Sequence, residues 1–187
     1  YQQYGIKPDI VTMAKGVASG YAAIALCVTT EAVFDMFKDD PNDPLGFFRD
    51  ISTFGGCTAG PAAALENMRI IEDENLLENC TKMGERMMGN LQALMEKHEV
   101  IGDVRGKGLF LGVELVADRT SKEPVAEALV AQVAAECGAQ GVIIGMSNKS
   151  IPGRNNVLCF SPALIVTADD IDLITDSVDK ALTKVFG

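Results

Sequence analysis

The chain has 187 residues, 48% of them hydrophobic, and sets 16 basic against 26 acidic residues for a net charge of −10. That is enough apolar material for a sizeable core, while the acidic balance repels nucleic acid and anionic membrane surfaces. The longest apolar stretches, such as Tyr21 to Val28, fall far short of the roughly 20 residues that cross a bilayer. No charged-then-apolar leader opens the chain, so a cytoplasmic protein without membrane or nucleic-acid partners is expected. Cys27, Cys57, Cys80, Cys137 and Cys159 are an odd set without a C-x-x-C pair. Reduced, mostly buried thiols are expected, with neither a disulfide framework nor a zinc site. His98 is the sole histidine, which removes Ser-His-Asp and Cys-His schemes that take their base from this chain. Chemistry must then rest on lysine, carboxylates or a cofactor.

In chain order, the sequence opens on Tyr1 and soon enters an apolar run, so the natural start is expected upstream. Asp9 to Met13 and Ala22 to Thr29 have the β-branched, apolar character of short buried strands around a glycine-bearing turn, Gly16 to Gly20. The segment from Thr29 and Thr30 to Phe37 reads as a capped helix, and Asp39 to Gly46 as an exposed loop broken by proline and aspartate. Gly60 to about Lys97 is helical, with a bend at Glu74-Asn75. Val100 to Arg105 and Leu109 to Val116 are strand candidates. An amphipathic helix follows over Pro124 to Gln140, then strands over Gly141 to Gly145 and Val157 to Phe160. The last helix, Thr167 to Val185, has Thr167 as N-cap and Asp169, Asp170 and Asp172 near its positive end. The alternation predicts an α/β chain in two unequal parts joined by the long helical stretch.

Two segments can carry chemistry. Lys15 follows the strand Ile10 to Met13, with Gly16 and Gly20 freeing the backbone behind it. That places an amine at a strand end, although a solvated lysine whose stem covers the strand edge has the same signature. Ser52-Thr-Phe-Gly-Gly-Cys-Thr-Ala-Gly60 is a hydroxyl- and glycine-rich loop entering a helix. Backbone N–H groups and the helix dipole can hold a phosphate there, with Thr53 adding a hydroxyl, although a plain turn looks the same.

Taken together, these segments resemble the class III aminotransferases, pyridoxal phosphate (PLP) enzymes of the aspartate aminotransferase fold type I. Pro8-Asp-Ile-Val-Thr-Met-Ala-Lys-Gly matches the family segment that presents the lysine bound to PLP as an aldimine. Ser52-Thr-Phe-Gly-Gly56 matches the loop whose threonine reaches the cofactor phosphate of the neighbouring subunit. The resemblance continues through 71–79, 102–109 and 161–167. It implies that 1–78 is the C-terminal portion of the PLP-binding large domain, 79–96 a connecting helix, and 97–187 the small C-terminal domain. It implies Lys15 as covalent anchor and proton shuttle, Thr53 as phosphate ligand, PLP as cofactor and a homodimer as the full-length form. A free lysine titrates near 10.4, so that role requires its amine to be held neutral by desolvation or neighbouring positive charge.

The departures matter as well. After Gly56 the family often continues Asn-Pro or His-Pro, whereas this chain has Cys57-Thr-Ala-Gly-Pro61. The chain also begins after the parts where relatives carry the glycine/serine phosphate turn, the aromatic residue stacked on the ring and the aspartate paired with the pyridine nitrogen. An incomplete active site is therefore expected of this polypeptide alone, and a catalytically incompetent fragment or interaction module is the competing reading. Where relatives acting on α-amino acids place a carboxylate-gripping arginine, this chain has Cys159. The stretch 141–164 looks most like taurine:pyruvate and ω-amino-acid:pyruvate aminotransferases. Arg154 in its loop is the candidate reader of a substrate sulfonate or carboxylate, whereas Arg105 and Lys107 read as structural or exposed. An ω-amine donor such as taurine or β-alanine and a 2-oxo acid acceptor, pyruvate, are the implied substrates. An aminomutase or a decarboxylase would use the same lysine.

Overall fold

In the computed structural model, which describes residues 1–38, 42–45, 48, 50, 52–149 and 151–187, strand β1 (Ile10–Ala14) pairs antiparallel with β2 (Ala25–Thr29) in unbroken register from Ile10↔Thr29 to Ala14↔Ala25. This ribbon belongs to the first of two units, Tyr1–Glu74. Both strands stand where the sequence puts them, but they are not buried: Ile10, Met13 and Val28 are 55%, 36% and 48% exposed. Two strands alone cannot cover their own faces, so apolar content here does not report burial. The helix expected after β2 is the short α1 (Glu31–Asp35), and the Thr30 side chain makes no cap bond. Its backbone N–H instead donates to Asp9 O at 3.0 Å, extending the ribbon. Of the loop expected over Asp39 to Gly46, residues 42–45 are exposed turn; the others lie outside the described residues. Helix α2 (Ala59–Asp73) completes this unit.

Helix α3 (Leu76–Lys97) begins after Asn75, whose left-handed backbone (φ 51°, ψ 39°) makes the break expected at Glu74-Asn75. It is part of the second unit, Asn75–Gly187, so the stretch 79–96 read as a connector lies inside that unit. Strands β3 (Ile101–Lys107), β4 (Phe110–Asp118), β5 (Glu123–Pro124), β6 (Gly145–Met146) and β7 (Val157–Phe160) form an antiparallel sheet ordered β3-β4-β7-β6, with β5 paired to β4. Alternation along β4 sends Leu111, Val113 and Leu115 to one face, where Leu158 and Phe160 of β7 join them. Against that face lie Met87 and Leu91 of α3, Val130, Val133 and Cys137 of α4 (Glu127–Ala139), and Ile171, Val178 and Leu182 of α5 (Ala168–Phe186). Most of these are fully buried, and each such side chain contributes about 1.5–3 kcal/mol by leaving water.

The terminal helix follows its sequence signals closely. Thr167 accepts from the Asp170 N–H, and the Asp170 carboxylate accepts from the Thr167 N–H, forming a reciprocal capping box. Two other expectations are corrected. Pro124 belongs to β5 rather than to the helix, which starts at Glu127; an edge strand tolerates a residue with no N–H to donate. The strand expected over 141–145 is shortened to Gly145–Met146, because Gly141 (φ 86°) and Val142, whose N–H returns to Cys137 O at 3.0 Å, make the turn out of α4.

At the end of α3 the Arg119 guanidinium donates to the carbonyls of Met95, His98, Glu99 and Ile101 at 2.5, 2.9, 3.1 and 2.9 Å. It thereby satisfies acceptors that a helix terminus leaves open. Gly84 of α3 lies against the β3–β4 turn: a Cβ there would meet the Gly108 carbonyl carbon at 2.5 Å and Cα at 2.7 Å. The thiols are less hidden than expected, with Cys137 buried, Cys80 and Cys159 intermediate, and Cys27 and Cys57 exposed. Among the described residues no helix is long and apolar enough to cross a membrane.

Candidate active site

Lys15 is the first residue beyond β1. Its backbone is left-handed (φ 54°), and it opens a four-residue 3-10 turn, Lys15–Ala18, that closes on Ser19, also left-handed (φ 49°, ψ 29°). A side chain leaving a strand in this conformation no longer follows the alternation of the ribbon. The turn is fastened from three sides. The Ser19 N–H donates to Gly16 O at 3.1 Å. Ala18 is buried, 1% exposed. The Asn67 side chain of α2 donates to Gly16 O at 3.1 Å and to Val17 O at 3.0 Å. Lys15 itself is exposed, and no ion pair engages its amine among the described residues.

The same helix places the second segment. Residues 52–58 lead into α2 through tight turns: Gly55 N–H donates to Ser52 O at 3.0 Å and Cys57 N–H to Phe54 O at 3.2 Å, with Gly56 at φ 78°. Thr53 is exposed in the first of these turns, and Thr58 makes no side-chain cap at the start of α2. Gly60, one residue into the helix, packs so closely that a Cβ would sit 3.0 Å from Ala23 O. Gly60 and Ala64 are buried and Asn67 is half-buried; their four- and three-residue spacing puts them on one helix face. One face of α2 thus abuts the chain entering β2 and grips the turn behind Lys15. No hydrogen bond joins Lys15 to Thr53 among the described residues.

Arg154 belongs to the second unit, on the loop between β6 and β7. Its side chain is exposed and stands in no ion pair among the described residues, and its N–H donates to Ile151 O at 2.9 Å. The loop is moored by Glu127, the first residue of α4: one carboxylate oxygen accepts from Gly153 N–H at 2.7 Å, Asn155 N–H at 3.2 Å and Asn155 Nδ2 at 2.9 Å. These bonds, led by that from the Asn155 backbone, hold the Glu127 carboxyl below its ordinary range. Buried Asn156 anchors the next residue, donating to Leu115 O at 2.7 Å. Cys159 lies in the middle of β7, opposite Gly112 and Gly145, half-buried. Arg105 is committed elsewhere, paired at 2.6 Å with both Asp103 and Glu114, in keeping with a structural role. Neither Asn67 nor Glu127 stands out in the sequence. The available signals were a polar residue continuing a Gly60/Ala64 small-residue stripe, and an acid at a helix start facing a loop.

The Aminotransferase class-III family model matches residues 1–182. Among curated proteins, the chain is 73% identical over 186 residues to the hypotaurine/taurine–pyruvate aminotransferase of Paracoccus denitrificans, covering 100% of this chain and 40% of that protein. It is 66% identical to the taurine–pyruvate aminotransferase of Rhodobacter capsulatus, covering 99% and 40%. The chain therefore spans about 40% of the length of these relatives. Among solved structures, a Bacillus anthracis aminotransferase superposes with a TM-score of 0.91 at 37% identity, covering 98% of this chain and 40% of that one. An amine transaminase from an uncultivated Pseudomonas species, solved in the PLP-bound (internal aldimine) form, superposes at 0.86 with 28% identity and the same coverage. The α/β fold is shared with these transaminases, and by sequence and structure alike the chain belongs to the class III aminotransferases.

Proposed function

We propose that this chain supplies the covalent lysine of a PLP-dependent transaminase that moves an amino group from an ω-amine donor, taurine or β-alanine, to pyruvate. The observation that carries the reading is Lys15: an exposed amine, unpaired among the described residues, in a fastened left-handed turn at a strand end, in a chain of this family. The residues present fit the parts of PLP they would meet. A primary amine suits its aldehyde, and the Thr53 hydroxyl with the glycine-rich backbone of 52–58 suits its phosphate. When bound, PLP supplies an electron sink for the charge left when a proton departs the substrate carbon. Lys15 would then have two tasks: its amine would hold the cofactor through the aldehyde, and, once free, would serve as the base that takes the proton from the substrate carbon and hands it on. Thr53, by holding the phosphate, fixes the orientation of the bond that breaks. By the family pattern it serves the neighbouring subunit of a homodimer.

The donor class is read from two features. The relatives at 73% and 66% identity are named for taurine and pyruvate, and Arg154 offers an exposed guanidinium, in no ion pair among the described residues, on a moored loop. A guanidinium accepts a sulfonate or carboxylate in parallel hydrogen bonds, which suits a donor with its acid group at the far end from the amine. The domain assignment follows the same reading. It takes residues 1–78 as the C-terminal portion of the cofactor-binding domain, 79–96 as the connecting helix and 97–187 as the small domain.

The test uses the protein at the length of its relatives, incubated with PLP, taurine and pyruvate. Alanine should form, and borohydride should trap a cofactor adduct on the peptide containing Lys15 that Lys15→Ala abolishes. Arg154→Ala should raise KM for taurine at least tenfold while leaving amines without an acid group unaffected. An adduct at Lys15 with no alanine would replace transamination by another PLP reaction, such as decarboxylation or amino-group migration. An adduct that persists in Lys15→Ala would overturn the assignment of the lysine.

A further inference from the structure

The turn that presents Lys15 holds three residues in the left-handed region within six positions: Lys15 at φ 54°, Ser19 at 49° and Gly20 at 77°. Only the last is a glycine. Lysine and serine pay for this conformation, and the chain does not hold it unless surrounding contacts over-determine it. The ribbon does not provide those contacts, because its pairing ends at Ala14↔Ala25. What remains is the backbone bonding local to the turn, including Ser19 N–H to Gly16 O and Tyr21 N–H to Ala18 O, the burial of Ala18, and Asn67.

Asn67 stands 50 residues and more away in sequence, on the face of α2 that Gly60 and Ala64 keep flush against the chain. Its one side-chain nitrogen spans both carbonyls that follow Lys15, Gly16 O and Val17 O. The orientation of the amide is unambiguous, since two carbonyl oxygens accept and only the NH2 side can serve them. The two carbonyls are thereby turned together toward α2, which sets the direction in which the preceding residue leaves the strand.

We infer that Asn67 is a positioning residue for Lys15, holding the left-handed turn so that the amine is presented in one direction for bond formation with the cofactor and for proton transfer afterwards. The inference rests on the assignment of Lys15 as the covalent lysine. Misplacing a reacting group by a fraction of its reach costs rate without requiring any loss of fold.

The test compares wild type, Asn67→Ala, Asn67→Asp and Asn67→Gln in the natural-length protein. Three quantities are read: the rate of borohydride-trappable adduct formation at Lys15 with added PLP, the pH at which the absorbance of the bound cofactor titrates, and, without cofactor, amide hydrogen exchange at Ser19 and Tyr21. Tyr21 is included because its N–H closes the turn on Ala18 O at 3.0 Å. Asn67→Ala and Asn67→Asp should slow adduct formation roughly tenfold, shift the titration, and speed exchange at both amides. Asn67→Gln, which keeps the donor on a longer stem, should recover part of the rate. If Asn67→Ala does not unfold cooperatively, Asn67→Ser is judged in its place by the same criteria. A Lys15 adduct that forms at the wild-type rate with an unchanged titration overturns the inference, even if exchange at the turn accelerates, because the contact is then structural only. An adduct that survives Lys15→Ala overturns the assignment of the lysine and the inference with it.

Discussion

Two alanine substitutions in one helix should have opposite signs. Gly84 and Gly89 both lie inside α3, where replacing glycine by alanine gains about 1 kcal/mol of backbone entropy and helix propensity. At Gly89 nothing stands within 4 Å of the added Cβ, so the gain is realised. At Gly84 the Cβ overlaps the Gly108 carbonyl oxygen and lies 2.5 Å from the carbonyl carbon, against 3.4 Å for ordinary contact. The helix and the β3–β4 turn must separate by about 0.9 Å, the difference of those distances. No side-chain rotation can relieve the overlap, because both partners are backbone. Prising apart a packed contact of this kind costs about 3 kcal/mol, the upper end of the usual overpacking range. The net expectation is a loss of about 2 kcal/mol for Gly84→Ala and a gain of about 1 kcal/mol for Gly89→Ala, about 3 kcal/mol between them. Urea unfolding followed by far-ultraviolet circular dichroism measures both. Gly84→Ala as stable as wild type would refute the packing argument; Gly89→Ala below wild type would refute the account of the exposed face.

Other consequences follow from single contacts. Thr167→Ala removes the acceptor for the Asp170 N–H and should lower the stability of the second unit by about 1 kcal/mol in the same assay. Glu127, Asp170 and Asp172 are held below their ordinary values, Glu127 by backbone N–H groups, Asp170 by Thr167 and Asp172 by the Arg86 guanidinium. A depressed folded-state value means that their stabilisation is complete above the unfolded value near 4 and is lost as pH falls through the folded one. Urea midpoints should therefore be flat from about pH 6 to 8 and fall below about pH 4, less steeply in Asp172→Asn; equal slopes would remove Asp172 from the explanation. Burial pushes the Cys137 thiol up to about 11. A thiol reagent near pH 8 should label exposed Cys27 and Cys57 while sparing Cys137 until urea unfolds the chain. Early labelling of Cys137 would contradict its place in the core.

The sequence was most informative where a local signal and a tertiary contact agree. Thr167 with three following aspartates forecast α5, and the capping box is there; Glu74-Asn75 forecast the helix break, and Asn75 takes the left-handed backbone it needs. It was misleading where apolar character was read as burial. Ile10, Met13 and Val28 are strand residues with exposed side chains, because hydropathy records what a residue tolerates and not which neighbour covers it. Pro124 opens the stretch whose apolar spacing predicts a helix, yet pairing with Val116 claims it for a strand. Of the candidate site, the ordered motifs single out Lys15 and Thr53. Asn67 and Glu127 are not singled out, since each acts on a segment more than twenty residues away, and no periodicity within a helix reveals what its side chains will hold.

The arginine at the end of α3 has a consequence for alkaline conditions. Four carbonyls accept from one guanidinium, a group that stays charged at any pH a folded protein meets. Lysine would lose its proton in strong alkali and, with a single nitrogen, could not span acceptors spread over Met95 to Ile101. Exchanging Arg119 for lysine, the substitution usually counted as mild, should therefore fray the helix end, and the defect should deepen as the solution becomes more basic.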